Sequence, residues 1–183
     1  MILIIGLGNP GEKFEHTRHN TGFMALDFFA KHHGFANFEM VKKHNALISE
    51  KDNMILVKPQ TFMNESGKSV ASVIKNTKKH ELIVVHDDID LPLGSIKIVE
   101  NRGAAGHKGI ESIIKHIGND HLVRLRIGIQ PEKGKPKNPE GFVIKKFTKE
   151  EREILNPIIA KTADALDFFI KNGLERAMNE YNR

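Results

Sequence analysis

Apolar residues in this chain follow two patterns. Met1–Ile5, Met54–Val57 and Leu82–Val85 are short continuous runs ended by Gly, Lys-Pro or His-Asp. Runs of that length read as strands buried on both faces. Ala46-Leu47-Ile48 and Met54–Val57 flank Lys51-Asp52-Asn53 and read as a hairpin closed by Pro59. Ser95–Val99 and the alternating Arg124–Ile129 supply two more extended segments. Between them the apolar spacing turns helical. Phe23, Leu26 and Ala30 mark one helix, capped by Asn20 or Thr21 and closed by Gly34 in the left-handed conformation. Val70, Val73 and Ile74 mark a second, from about Ser66 to Asn76. Ile110, Ile113, Ile114 and Ile117 mark a third, closed by Gly118. Thr148-x-x-Glu151 has the form of a capping box opening a long helix through Ile154, Ile158, Ala165 and Phe169. Pro157 kinks it or starts a second helix. Asn172-Gly173 ends it, and Leu174–Tyr181 forms the last. Residues 131–141 read as loop, and Phe142-Val143-Ile144 as a short strand. Alternation of this kind predicts an α/β fold: one three-layer domain over residues 1–183, with a mixed, mainly parallel twisted sheet flanked by helices.

Strand ends of such a sheet hand the chain to loops at its ligand-binding edge. The first loop opens Gly6-Leu7-Gly8-Asn9-Pro10-Gly11 and runs to Arg18-His19-Asn20. Its glycine spacing matches the dinucleotide fingerprint, but its surroundings do not. Gly11 leads into charged residues rather than a helix, and Pro10 has no N–H to offer a pyrophosphate. The glycines read instead as a tight turn that needs positive φ. The second loop carries Phe62-Met63-Asn64, and the third carries Asp87. A Gly-rich loop at His107-Lys108 is a fourth candidate. The residue types suit hydrolysis. A neutral His takes a proton from water near neutral pH. A carboxylate on its other nitrogen fixes the tautomer. Asn amides donate to an oxygen that gains charge. With no Cys in the chain and no evident Ser nucleophile, water is the expected attacker. Taken singly, each residue has a plainer role: His19 at the surface, Asp87 in a turn, Asn64 as a helix cap, Asn9 as a turn former, Phe62 and Met63 as core. The run His86-Asp87-Asp88-Ile89-Asp90 leaves a divalent-metal site open, against a solvated turn.

Composition narrows this further. The chain has 183 residues, enough for one sizeable core. The lack of Cys excludes disulfides and thiolate metal sites. No apolar run reaches the roughly 18 residues of a membrane span, and Met1 begins a strand rather than a signal peptide, so a cytoplasmic location away from membranes is expected. A net charge of +5 favours polyanionic partners mildly. Arg18, Lys97, Arg102, Lys108, Arg126 and the lysines at 133, 135 and 137 are candidate phosphate contacts, the last three also reading as a solvated cluster.

The motifs taken in order are more specific than any one of them. Gly6–Gly11, Thr17-Arg18-His19-Asn20, Lys58–Gly67, His86–Pro92, Gly106-His107-Lys108-Gly109 and Arg124–Ile129 together closely resemble the bacterial-type peptidyl-tRNA hydrolase family, along essentially the whole chain. That resemblance implies an esterase, acting as a monomer without metal or cofactor. It releases the peptide from the terminal ribose at the tRNA acceptor end. His19 matches the general base and Asp87 the carboxylate that holds it. Asn64 matches a substrate-binding amide. Asn9 matches the residue separating blocked from free aminoacyl-tRNA. Phe62 and Met63 match the apolar wall beside it, and Arg126 matches a basic residue that clamps a tRNA phosphate. Three positions depart from the pattern. Phe14 stands where Tyr is usual, keeping a stacking face and losing a hydroxyl. Lys108 stands where Asn is usual, an ammonium that only donates. Val99 stands where a basic residue is usual. These departures bear on tRNA binding more than on hydrolysis. A non-catalytic RNA-binding module on the same fold is the alternative, discriminated by whether ester is cleaved.

Overall fold

The computed structural model describes residues 1–75, 77 and 81–183. In chain order its elements are β1 (Ile2–Gly6), α1 (Thr21–His32), β2 (Glu39–Val41), β3 (Ala46–Lys51), β4 (Met54–Pro59), α2 (Ser66–Lys75), β5 (Glu81–Pro92), β6 (Ile96–Glu100), α3 (Lys108–Ile117), β7 (Val123–Gln130), α4 (Pro139–Val143), α5 (Lys149–Asn172) and α6 (Leu174–Tyr181). The strands form one sheet in the order β2-β3-β4-β1-β5-β7-β6. Its centre, β4-β1-β5-β7, is parallel. The β2-β3-β4 side and the β6–β7 pair are antiparallel.

β1 shows why a continuous apolar run was needed. Ile4 packs with α1 and α5 on one face, while Leu3 and Ile5 pack with α2 and α3 on the other. Leu26 and Phe29 of α1 are fully buried against the sheet. Burial of a side chain that size is worth about 2–3 kcal/mol, so Phe29→Ala would cost about 3–5 kcal/mol. The strand order then places the chemistry. Because β4, β1 and β5 are parallel neighbours, the loops after Pro59 and Gly6 and the second half of β5 arrive side by side at one sheet edge. Gly6 and Gly22 make that edge compact: a Cβ on Gly22 would stand 2.4 Å from Leu7 N and from Val85 O. A Cβ on Gly8 would meet the Phe23 ring at 2.7 Å. Of the three fingerprint glycines only Gly11 has positive φ, +100°. The others are small so that α1 can approach, which corrects the turn reading.

Several boundaries match the sequence signals. Gly34 and Gly118 have φ of +65° and +77° after α1 and α3. The Thr148–Glu151 capping box opens α5, with Thr148 N–H donating to Glu151 Oε2 at 2.8 Å and Glu151 N–H to Thr148 Oγ1 at 3.2 Å. Others differ. Asn20 precedes α1 but makes no side-chain cap. Phe142 and Val143 are helical, because Asn138 caps Gly141 N–H at 2.9 Å and Pro139 pre-sets the first turn. α5 runs unbroken through Pro157. Pro157 lies on the exposed face, so the carbonyl that loses its N–H partner there is not sealed in the core. The expected helix end at Asn76 lies outside the described residues. No described helix is long and apolar enough to cross a membrane. Edge strand β6 is closed off by Asn182, whose amide bonds both Ile98 N–H (2.7 Å) and Ile98 C=O (2.9 Å).

Candidate active site

A turn of 3₁₀ helix, Arg18–Asn20, holds His19 over β5. His19 Nδ1 donates to both oxygens of Asp87, at 2.8 and 3.0 Å. His107 donates from Nε2 to Asp87 Oδ1 at 3.0 Å. Asp87 is 2% exposed. Burial opposes its charge, yet the two imidazoles donating to it hold its carboxyl well below the usual range. His19 moves the other way. Burial alone would lower it, but the charge and hydrogen bond of Asp87 outweigh that and raise it above 6.5.

His107 has a second duty that the sequence did not disclose. It is the N-cap of α3, with Nδ1 accepting from Gly109 N–H (3.2 Å) and Ile110 N–H (3.3 Å). An imidazole nitrogen that accepts carries no proton, so the proton of His107 sits on Nε2, facing Asp87. Histidine is not among the usual capping residues; its place just before a helical pattern was the only available sign. Gly109 must be Gly here: a Cβ would stand 2.5 Å from Met63 Sδ and 2.8 Å from Leu7 Cδ1.

Among the described residues, His19, Asp87 and His107 form the group with metal-ligand spacing. The donor set does not fit an ion. Both ring nitrogens that face Asp87 carry the protons they donate, and freeing Nε2 of His107 would protonate the nitrogen that caps α3. The run His86–Asp90 diverges. His86 is 1% exposed and donates from Nδ1 to Asp87 O at 2.7 Å. Its burial, then the neighbouring His107, push it well below 6.5. Asp88 pairs with Arg126 at 2.5 Å and accepts from Asp90 N–H, and Asp90 pairs with Lys135 at 2.7 Å.

Asn9, in the first loop, is held by Asn20 and Met63 and lines a separate pocket with Phe23, Lys58 and Gln60. Its backbone N–H donates to Asn20 Oδ1 and its backbone C=O accepts from Asn20 Nδ2, both at 2.9 Å. Asn20 therefore spends its side chain on Asn9 rather than on a cap. Asn9 Oδ1 accepts from Met63 N–H at 2.8 Å, which orients the amide and leaves its Nδ2 as the unspent donor. Met63 is buried, and Asn64 follows it, exposed. Phe62 is 58% exposed and meets Phe14 edge to face, with ring centres 6.3 Å apart. A cavity of about 480 Å³ opens beside His19 and Asp87. Lys108, Lys135 and Lys137 reach its wall, with Ala105, Glu140 and Val143. Lys108 is exposed, 4.0 Å from Glu140.

The candidate phosphate contacts do not all stand together. Lys97, Arg102, Arg126 and Lys133 do not line this cavity. Arg126 connects to it through Asp88. Arg18 is withdrawn from the phosphate contacts: it is 5% exposed and paired with Glu151.

Comparison with known proteins shows the family and the fold. Residues 3–183 match the family model described as Peptidyl-tRNA hydrolase. A peptidyl-tRNA hydrolase of Fervidobacterium nodosum is 44% identical over 187 residues, covering 99% of this chain and 96% of its own. One of Akkermansia muciniphila is 42% identical over 182 residues, covering 98% and 95%. The crystal structure of peptidyl-tRNA hydrolase from Acinetobacter baumannii superposes with a TM-score of 0.88 at 30% identity, covering 100% of this chain and 94% of that one. With the family model matching residues 3–183 of the chain and the fold shared, the chain belongs to the peptidyl-tRNA hydrolase family.

Proposed function

We propose that this peptidyl-tRNA hydrolase cleaves its substrate by direct attack of water, with His19 as general base and Asp87 as its partner. The observation that carries the assignment is the bond from His19 Nδ1 to Asp87. It fixes the proton on Nδ1 and leaves Nε2 unprotonated beside the cavity. Water attacks the ester carbonyl carbon while Nε2 takes its proton. The C–O bond to the ribose then breaks, and the imidazolium returns that proton to the leaving oxygen. Asp87 stabilises the imidazolium between these steps, and His107 keeps Asp87 in place. The free Nδ2–H of Asn9 and the exposed amide of Asn64 donate to substrate oxygens. Phe14 and Phe62 offer ring faces to the acceptor end. Lys108, Lys135, Lys137 and Arg126 meet its phosphates. The reading takes the chain to act as a one-domain monomer in the cytoplasm, since the chemistry described draws on one chain alone.

The test is hydrolysis of N-acetylated aminoacyl-tRNA beside the unacetylated form, with and without chelator. Release of the acetylated form alone, indifferent to chelator, is the expected result. Tight tRNA binding without release would move the chain to the RNA-binding class and make Lys108→Asn the next variant.

A further inference from the structure

Arg18 stands next to His19 in the same turn, yet it faces away from solvent. Its Nη1 donates to the carbonyls of Lys145 (3.0 Å) and Lys146 (3.1 Å), and its Nη2 to both oxygens of Glu151 (2.7 and 2.5 Å). The guanidinium carbon lies 4.1 Å from the ring centre of Phe142 and 5.1 Å from that of Phe147. The backbone repeats the connection, with Arg18 N–H donating to Lys145 O and Phe147 N–H to His16 O. Thr17 also forms a β-bridge with Lys146. Glu151 is itself the capping-box residue of α5, so Arg18 is anchored to the start of the longest helix. Just before this anchor, α4 places Pro139, Glu140 and Val143 on the cavity wall. One planar cation thus ties three things together: the turn that presents His19, the wall beside the reaction, and a helix end. A lysine cannot replace it, because an ammonium is a point donor without the guanidinium fork.

We propose that Arg18 is a positioning residue for the hydrolysis, holding the Arg18–Asn20 turn against residues 145–151 so that His19 keeps its Nδ1 on Asp87. The proposal rests on the reading of His19 as the base, and it separates Arg18 from the phosphate contacts.

Arg18→Lys and Glu151→Gln test it from the two sides of the clamp. Turnover of N-acetylated aminoacyl-tRNA is measured across a salt series, and the downfield proton resonance of His19 Nδ1–H is followed by NMR. Small displacements of reacting groups cost up to about 10²-fold in rate. The expected result is therefore a kcat lower by about 10- to 100-fold, unchanged KM and salt slope, and a weakened or shifted Nδ1–H resonance in a folded protein. A salt slope reduced by about 0.7–0.9 with raised KM would overturn the proposal in favour of a phosphate contact. Unchanged kcat and resonance with only a lower melting temperature would overturn it in favour of plain stability. If Arg18→Lys does not fold, Glu151→Gln decides alone, since it keeps the guanidinium on the two carbonyls. The resonance needs no substrate. A wild-type chain that shows it without cleaving ester would end the functional reading and leave the positioning of His19 to be judged by the variants.

Discussion

The floor and the rim of the cavity are built on different terms. On the floor, Asp87 is buried and accepts from two histidines, one of them tied to a helix cap. On the rim, Lys108 and Lys135 are half exposed and pair with Glu140 at 4.0 Å and Asp90 at 2.7 Å. Exposed pairs of that kind are worth about 0–1 kcal/mol and are screened by salt. The buried bonds are not screened, and removing one partner strands the other. Of the three departures from the family pattern, Lys108 lines the cavity, Phe14 lies against Phe62, and Val99 lies on β6. None touches Asp87. The His19–Asp87–His107 cluster is buried and fully hydrogen-bonded around its carboxylate, while the rim is held only by exposed pairs.

Breaking the floor should have the largest effects. His19→Ala is expected to lose about 10²- to 10⁴-fold in turnover while the fold persists; near-full turnover in steady-state assays would remove His19 from the mechanism. Asp87→Asn should lower kcat by a smaller factor and leave tRNA affinity in place. Direct binding measurements beside turnover check the split. The rim should respond more gently. Lys108→Ala with Lys135→Ala and Lys137→Ala should reduce the salt slope of binding by about 0.7–0.9 for each phosphate released, with kcat at saturation little changed. An unchanged slope would return these lysines to a solvated cluster. Chelator should do least of all, leaving turnover as it was, because the donor set at Asp87 does not accept an ion.

The sequence was most legible where one physical signal sufficed. The apolar runs gave the central strands, and the capping box gave the start of α5. Ordered motifs singled out His19, Asp87 and Asn9, but the expected strand end after Val85 is not there: β5 runs on to Pro92 with Asp87 inside it, and His19 sits in a 3₁₀ turn. What stayed hidden were long-range partners. Asn20 reads as a helix cap, and only the fold turns its amide onto Asn9. Arg18 reads as a surface cation because no local pattern announces Glu151, 133 residues away in sequence. Phe142-Val143 reads as strand by composition, but the cap from Asn138 wins locally. The fingerprint glycines showed that smallness was needed without showing whether turn or packing required it.

The pairing of His19 with Asp87 is the central claim, and the pH dependence of kcat/KM in wild type and Asp87→Asn tests it most directly. The base must be unprotonated to act, so the rate falls as pH drops through its pKa. Asp87 raises that pKa above 6.5 against the effect of burial. The acid limb of the wild type should therefore lie above 6.5. In Asp87→Asn, burial acts without the carboxylate, and the limb should move below 6.5. Acid limbs that coincide in the two proteins would contradict the account.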